Sequence, residues 1–324
     1  MGSARVDPST GPPRVVAFGG GHGLAAALGA WRRITPDLTA VVTVADDGGS
    51  SGRIRREMPV LPPGDLRMAL AALTDDGVRG PELAALLQHR LGGTGALAGH
   101  PVGNLVLTGL TEMHGGDTVA ALDALGEMIG CRGRVLPMAD VPLDLVARVE
   151  STDPDDPERT RTIRGQVAIA STPGHVREIL VSPPDPPVSP AVLEAIARAD
   201  VVSLGPGSWY TSVLPHLLVP QLRTALAEAQ ARVVVVLNLE PQPGETDGFS
   251  PEEHLHVLQA HLGGVALHTV IADEDSVVDR RGLLSAVHEC GAELILAPVA
   301  EAMGSARHDP VRLAAALASV VGVR

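Results

Sequence analysis

The chain has 324 residues, with 38 acidic and 25 basic side chains and a formal net charge of −13. This length is enough for one large domain or two of moderate size. The acidic balance argues against nucleic acid, which requires a basic surface. All basic residues are arginine, so a P-loop lysine and a Schiff-base lysine are excluded. Two cysteines without disulfide or metal spacing, and no apolar run near the roughly 18 residues of a membrane span, predict a cytoplasmic protein.

The first part of the chain has the pattern of a βαβ unit. Residues 1–13 are polar and rich in proline and glycine, which predicts a disordered tail. A strand at Arg14–Phe18, a glycine loop, a helix at Leu24–Arg33 and a strand at Leu38–Val44 then open a doubly wound sheet. Further helices are predicted at Leu66–Leu73, Pro81–Leu91, Gly103–Thr111 and Asp117–Ile129. Residues 14–131 are therefore predicted to be the first part of a Rossmann-like core.

The pattern changes in residues 132–190, which we interpret as a small inserted subdomain. Short alternating runs predict antiparallel strands at Leu143–Glu150, Thr162–Ala170 and Glu178–Val181. Strands and helices alternate again in residues 191–324, the predicted second part of the core. The predicted fold class is α/β, a Rossmann-like, doubly wound, mostly parallel sheet with a small antiparallel insertion. Ligands are expected at the carboxyl ends of its strands.

Four loops at these strand ends contain the candidate ligand-binding residues. In the first, Gly21-x-Gly23-x-x-Ala26 fits the dinucleotide fingerprint in its alanine-terminated form. Asp46 and Asp47 follow about twenty residues later, where the ribose-binding acid is expected. The candidates in this first loop are Gly19, Gly20, Gly21, His22 and Gly23.

The second and third loops combine carboxylates, hydroxyls and arginines. Asp46, Asp47, Ser50, Ser51 and Arg53 follow the second strand, where glycines shape an anion-binding concavity and aspartates accept ribose hydroxyls or hold a divalent cation. An ordinary Asp-Gly-Gly-Ser turn is the alternative. In the third loop, Asp65 is predicted to cap a helix and Arg67 to project beside the same helix end. No cofactor follows with certainty from these residues; the candidates for holding a divalent cation such as Mg²⁺ are Asp46, Asp47 and Asp65.

The fourth loop is predicted to be a diphosphate site that needs no lysine, because it combines glycines, hydroxyls and a following helix start. Its candidates are Gly205, Pro206, Gly207, Ser208, Thr211 and Ser212. Elsewhere, Asn104 either touches ligand or caps a helix, and Asn238 begins a polar loop after a strand. Asp309 is predicted to cap the last helix, beside Arg307 as a charge for a phosphate.

These loops together resemble those of one known family. The motifs, in chain order, are GGGHGL, VADDGGSSGRIR, LPPGDLR, GHPVGN, GPGSWYTS, NLEPQPGETDGFS and ARHDP. They resemble the gluconeogenesis-factor (YvcK-like) family, whose relatives are the 2-phospho-L-lactate transferases (CofD-like). Three residues depart from the family pattern. His22 stands where the family usually has threonine, Met68 where many members have asparagine, and Pro310 where a hydroxyl residue can occur.

The resemblance implies a cytoplasmic bacterial protein that binds a UDP-sugar such as UDP-N-acetylglucosamine and supports cell shape and peptidoglycan synthesis on gluconeogenic carbon. It implies that the glycine loop, Asp46, Asp47 and Gly205–Ser212 form the nucleotide-diphosphate site, with Arg307 close to it. CofD-like relatives instead transfer a phospholactyl group from a guanylated diphosphate donor to a deazaflavin, with magnesium. A homo-oligomer and a protein partner in cell-wall synthesis are compatible with the sequence, which specifies neither.

Three functions therefore remain open at this stage: a UDP-sugar-binding regulator, a CofD-like transferase, and an NAD-dependent oxidoreductase suggested only by the glycine fingerprint. The chain has five aromatic residues in all, few for the walls of a flat deazaflavin pocket. This scarcity favours binding without turnover.

Overall fold

The structure is a computed structural model and describes residues 11–150, 160–172, 176–242 and 245–322. Its strands, in chain order, are β1 (Val15–Gly19), β2 (Leu38–Val42), β3 (Arg134–Pro137), β4 (Asp144–Glu150), β5 (Thr160–Arg164), β6 (Val176–Ser182), β7 (Val201–Leu204), β8 (Arg232–Val236), β9 (Thr269–Asp273) and β10 (Glu293–Ala297). Its helices are α1 (Gly21–Trp31), α2 (Gly49–Glu57), α3 (Pro63–Leu73), α4 (Gly80–Gln88), α5 (Val102–Met113), α6 (Thr118–Met128), α7 (Gln166–Ala170), α8 (Pro190–Arg198), α9 (Leu214–Leu218), α10 (Pro220–Glu228), α11 (Pro251–Leu262), α12 (Arg280–Glu289) and α13 (Pro310–Val321). A π-helical turn, Trp209–Val213, precedes α9.

Seven strands form one parallel sheet in the order β10-β9-β8-β7-β1-β2-β3. The chain fills one side of the sheet from β1 to β3 and then crosses to β7, which pairs with the other edge of β1. The strand order therefore reverses between β1 and β7. In open α/β sheets this switch point opens the crevice in which ligands bind.

Continuous apolar runs explain why the sheet is parallel and covered on both faces. β1 reads VVAFG and β7 reads VVSL, and every residue of both strands is buried. Strands buried on both faces have no polar alternation, as expected when crossover helices cover each side. Helix α1 packs against α3 and α13, which holds the first glycine loop in a fixed position. The doubly wound α/β fold predicted from the sequence is confirmed.

The small sheet has the antiparallel order β5-β4-β6 and lies within the predicted insertion. In β4, Leu145, Ala147 and Val149 are buried while their neighbours are more exposed, which is the predicted alternation. Two details differ from the sequence analysis. The Thr162–Ala170 run is not one strand, because β5 ends at Arg164 and α7 follows it. β3 falls within residues 132–190 but pairs with β2 in the large sheet.

The segment after β2 also differs from expectation. Strand β2 ends at Val42, and the glycine-rich stretch predicted as a loop forms helix α2 from Gly49. Of the predicted tail, residues 1–10 lie outside the described residues. In the part of the chain that the structure describes, no helix has the length and apolar character needed to cross a membrane.

Candidate functional site

The first and fourth candidate loops touch at the switch point. A Cβ atom at Gly23 would lie 2.2 Å from the Pro206 carbonyl oxygen and 2.6 Å from the Gly207 Cα. No side chain larger than glycine fits that gap unless the backbone moves. Gly20 is equally close to its surroundings, since a Cβ there would lie 2.5 Å from an Asp65 oxygen and 3.3 Å from Ser212 Oγ. Glycine thus allows two strand ends and the start of α3 to meet.

A cavity of about 400 Å³ opens where these loops meet. His22 and Gly23 line it on the β1 side, Pro206 and Gly207 on the β7 side, and His308 faces them. Its size falls within the range of small-molecule sites, roughly 300–1,000 Å³. A larger groove of about 690 Å³ lies elsewhere, between α8 and α10, away from every candidate loop.

The β7 loop is held by its neighbours rather than left open. Asn238 accepts a hydrogen bond from the Gly207 N–H and donates one to the Gly207 carbonyl, both at 2.9 Å. The Ser208 hydroxyl donates to the carboxylate of Glu245, and the Thr211 hydroxyl donates to the same carboxylate at 3.3 Å. Burial raises the pKa of Glu245, although these bonds and one from the Tyr210 backbone favour its charged form.

Glu245 therefore lies at the position that the sequence analysis predicted for a phosphate of the ligand. Its carboxylate accepts from the hydroxyls of Ser208 and Thr211 at the start of the π-helical turn, the donors that the sequence analysis predicted for an anionic ligand. The sequence analysis named the polar loop that contains Glu245 but did not include this residue among the ligand-binding candidates.

His308 is a second cavity residue that was missed. Burial lowers its pKa to about 4, against a hydrogen bond with the Leu237 backbone, so the ring is neutral at pH 7. Its Nε2 atom is buried and finds no partner among the described residues. Arg307, the adjacent residue that was predicted to contact a phosphate, is exposed and forms an ion pair with Glu301 at 3.7 Å. Ala306 and His308 line the cavity instead.

Asp46 and Asp65 lie together, and Asp47 turns away from them. Asp46 accepts a hydrogen bond from the Gly48 N–H at 2.9 Å and lies beside Gly64 in α3. Asp47 accepts one from the Val167 N–H at 3.1 Å, which ties the β2 loop to the start of α7. The structure thus divides the three metal candidates into a pair and a separate residue.

Asp65 is not the helix cap that the sequence analysis predicted. Helix α3 begins at Pro63, so Asp65 lies in its first turn, where the Gly21 N–H donates to the carboxylate. Burial, and then the charge of Asp46, raise the pKa of Asp65 to about 7, against the favourable effects of Gly21 and Arg67. The predicted cap at Asp309 is confirmed, because its carboxylate accepts from the Val311 and Arg312 N–H groups.

The remaining candidates meet where α2, α3 and α5 begin. Ser51 Oγ accepts a hydrogen bond from the Gly64 N–H at 3.0 Å. Ser50 Oγ lies 2.7 Å from His100 Nδ1 and accepts from Asn104 Nδ2 at 2.9 Å. Asn104 lies within the first turn of α5, whose cap position is Pro101, so it does not cap that helix. Arg53 and Arg67 lie at the same junction.

The comparisons with known proteins agree on one family. The sequence model of the family described as 2-phospho-L-lactate transferase CofD matches residues 15–293. A gluconeogenesis factor of Bacillus subtilis is 36% identical over 267 residues, covering 82% of this chain and 80% of its own length. The chain belongs to the gluconeogenesis-factor group of the CofD family.

Two further similarities support this family membership. A Mycobacterium tuberculosis protein, provisionally named a gluconeogenesis factor, is 55% identical over 309 residues, covering 94% of this chain and 90% of its own length. The crystal structure of a member of the UPF0052 family from Bacillus halodurans superposes with a TM-score of 0.84 at 33% identity. That match covers 95% of this chain and 99% of the other, so the family fold extends over nearly all of both chains.

Proposed function

We propose that this gluconeogenesis-factor family member binds a nucleotide-diphosphate sugar of the UDP-N-acetylglucosamine type in the cavity between the β1 and β7 loops. In this proposal the chain is a cytoplasmic regulator of cell shape and peptidoglycan synthesis during growth on gluconeogenic carbon, and it acts through a protein partner. The observation that supports the site best is the contact of Gly23 with Pro206 and Gly207 at the switch point. Diphosphates bind at such points through backbone N–H groups and helix starts.

The donors around the cavity suit a diphosphate, although lysine is absent from the chain. The start of α1 offers N–H groups and the positive end of a helix dipole. The β7 side offers the hydroxyls of Ser208 and Thr211 once Glu245 has moved from them. A neutral His308 adds a ring nitrogen, without a hydrogen-bond partner in the described part of the chain, that suits a polar group of the sugar or the base.

The carboxylates of Asp46 and Asp65 would bind a Mg²⁺ ion only together with phosphate oxygens of the ligand. No group of three or more His, Cys, Asp or Glu residues that could hold a metal is found within the described ranges. Mg²⁺ is commonly bound through one or two carboxylates, and substrate phosphates complete its coordination. The paired carboxylates would thus hold the ion against the diphosphate and reduce the repulsion between acid and phosphate.

Ligand-dependent thermal unfolding tests this proposal. UDP-N-acetylglucosamine with Mg²⁺ should raise the unfolding temperature, because a ligand that binds only the folded state stabilises it. GDP and NAD, measured at the same concentrations, should raise it far less. Equal shifts with all three ligands would contradict the preference for a uridine sugar.

One observation favours a second function, transfer of a phospholactyl group. Burial and the charge of Asp46 raise the pKa of Asp65 to about 7, which suits a general base, in a chain that matches the CofD model. In this second function Asp46, without Asp65, would hold the Mg²⁺ ion. In that reaction a deazaflavin hydroxyl attacks the phospholactyl phosphorus, the bond to the GMP leaving group breaks, and Asp65 accepts the hydroxyl proton. Incubation with guanylated phospholactate, deazaflavin and Mg²⁺ should then release GMP in equal amount to the product. Absence of both would leave binding as the function.

A further inference from the structure

Three arginines meet at one segment of this acidic chain without a carboxylate partner. Arg53 Nη2 donates to the Ala98 carbonyl and Arg90 Nη1 to the Gly99 carbonyl, both at 2.9 Å. The side chain of Arg67 runs past Gly103, where a Cβ atom would lie 2.8 Å from Arg67 Cγ. None of the three forms an ion pair with any residue that the structure describes, although acidic side chains outnumber basic ones by 38 to 25 in the whole chain.

Arg67 is the central member of this group, and its guanidinium is poorly satisfied. The residue is 4% exposed, yet among the described residues its Nε and Nη2 atoms reach only the Gly64 carbonyl, each at 3.4 Å. A guanidinium has five N–H donors, and burying a charge without strong partners is unfavourable. The carboxylates of Asp65 and Asp46 lie near enough to act on the charge of Arg67, but neither forms an ion pair with it among the described residues. The guanidinium therefore keeps N–H donors that are available to a further anion.

A second, independent observation lies at the same junction. Asn104 is 1% exposed, and its Nδ2 donates to Ser50 Oγ, but its Oδ1 finds no partner among the described residues. The Ser50 hydroxyl lies between Asn104 and His100. A buried amide oxygen without a donor is costly, and a ligand hydroxyl would satisfy it.

We propose that the junction of α2, α3 and α5 is a second oxyanion subsite, with Arg67 at its centre and Arg53 and Arg90 at its edge. It takes a carboxylate or phosphate that bears an adjacent hydroxyl, which donates to Asn104. This inference rests on the proposed function in one respect: the oxyanion belongs to the end of the ligand remote from the nucleotide.

The contacts connect this subsite to the cavity through the acid pair. Asp65 accepts from Gly21 on the cavity side, and Asp46 and Ser51 both lie against Gly64, whose carbonyl faces Arg67. One elongated ligand would thus place its diphosphate at the glycine loops and its second anion at Arg67. The acid pair, with its cation, would lie between the two.

A matched pair of nucleotide sugars tests the subsite. UDP-glucose and UDP-glucuronate differ only at C6 of the sugar, which is a CH2OH group in the first and a carboxylate, near the C4 hydroxyl, in the second. With Mg²⁺ present, calorimetry on the full chain should give UDP-glucuronate a Kd at least tenfold lower than that of UDP-glucose. Arg67→Gln should remove this preference while keeping the Kd for UDP-glucose. Arg90→Gln, an exposed change, should reduce the preference, and Arg56→Gln, at an exposed position on α2, should leave it intact.

Inorganic phosphate alone separates this inference from the proposed function. Phosphate should raise the unfolding temperature of the wild-type chain more than that of Arg67→Gln, because only the wild type has the Arg67 subsite in addition to the glycine-loop cavity. Binding of both nucleotide sugars with equal Kd, together with equal effects of phosphate on the two chains, would overturn the subsite and leave the proposed function standing. The same unfolding curves report whether Arg67→Gln folds, and we expect a small loss of stability because Arg67 lies near the carboxylates of Asp65 and Asp46.

Discussion

Replacing Asp65 with asparagine should stabilise the ligand-free chain at alkaline pH. The pKa of Asp65 rises from an ordinary 3.8 to about 7, so the folded chain keeps a proton that the unfolded chain has lost. Stability therefore falls as pH increases from about 4 to about 7, and remains lower above that range. At roughly 1.4 kcal/mol per pH unit, the difference reaches an upper limit of about 4 kcal/mol. An unfolding entropy of about 2.1 cal/mol/K per residue converts this limit to roughly 6 °C for 324 residues.

Unfolding temperatures measured from pH 4.5 to pH 8.5 without ligand test this reasoning. Asp65→Asn should match the wild type at the acid end and exceed it by several degrees at the alkaline end. The surface variant Asp123→Asn, which removes an exposed pair with Arg134, is the control and should not become more stable at alkaline pH. A constant gap between Asp65→Asn and wild type at every pH would refute the argument, since a titrating charge cannot produce it. The same variant should bind Mg²⁺ and UDP-N-acetylglucosamine more weakly at pH 8.

Three other predictions concern the neighbouring loops. Gly23→Ala should lower the unfolding temperature and abolish nucleotide binding, because its methyl group meets the Pro206 carbonyl, whereas Gly92→Ala, in open space, should do neither. Asp309→Ala should cost about 1 kcal/mol of unfolding free energy in urea denaturation, because α13 loses its cap; an unchanged value would deny the cap any role. Glu245→Gln should tighten nucleotide-diphosphate binding by about tenfold (1.4 kcal/mol) in calorimetry, because a charge that competes with phosphate is removed; weaker binding would mean that the carboxylate contacts the ligand itself.

The sheet was predictable because its strands are encoded locally. Apolar runs such as VVAFG in β1 and VVSL in β7 have no polar alternation, which distinguishes buried parallel strands from half-exposed ones. The helices between them then require right-handed crossovers and a switch point. The meeting of the first and fourth loops follows from that topology.

Helix α2 was not predictable from local sequence, since Gly48, Gly49 and Gly52 argue against a helix. Contacts with the preceding loop and with α3 determine that this segment is helical. A Cβ at Gly52 would lie 1.9 Å from the Asp47 carbonyl oxygen, so glycine is required where the helix meets the preceding loop. Ile54 is buried on its inner side, and Ser51 binds the start of α3.

The two missed cavity residues had no local signal either. Glu245 lies in a polar loop whose path over the β7 end depends on how β8 pairs with β7. The sequence analysis selected Arg307 because a guanidinium is a common phosphate ligand, and it passed over the adjacent His308. In the structure the imidazole of His308, and not the guanidinium of Arg307, lines the cavity. Burial of a neutral histidine depends on the Leu237 backbone, which is distant in sequence.

A crystal structure of the chain with UDP-N-acetylglucosamine and Mg²⁺ is the most direct test of the nucleotide site. The account predicts diphosphate density in the cavity lined by His22, Gly23 and Gly207, within hydrogen-bond distance of N–H groups at the start of α1, with Glu245 moved from Ser208. A nucleotide bound in the groove between α8 and α10, with Glu245 still on Ser208, would contradict it.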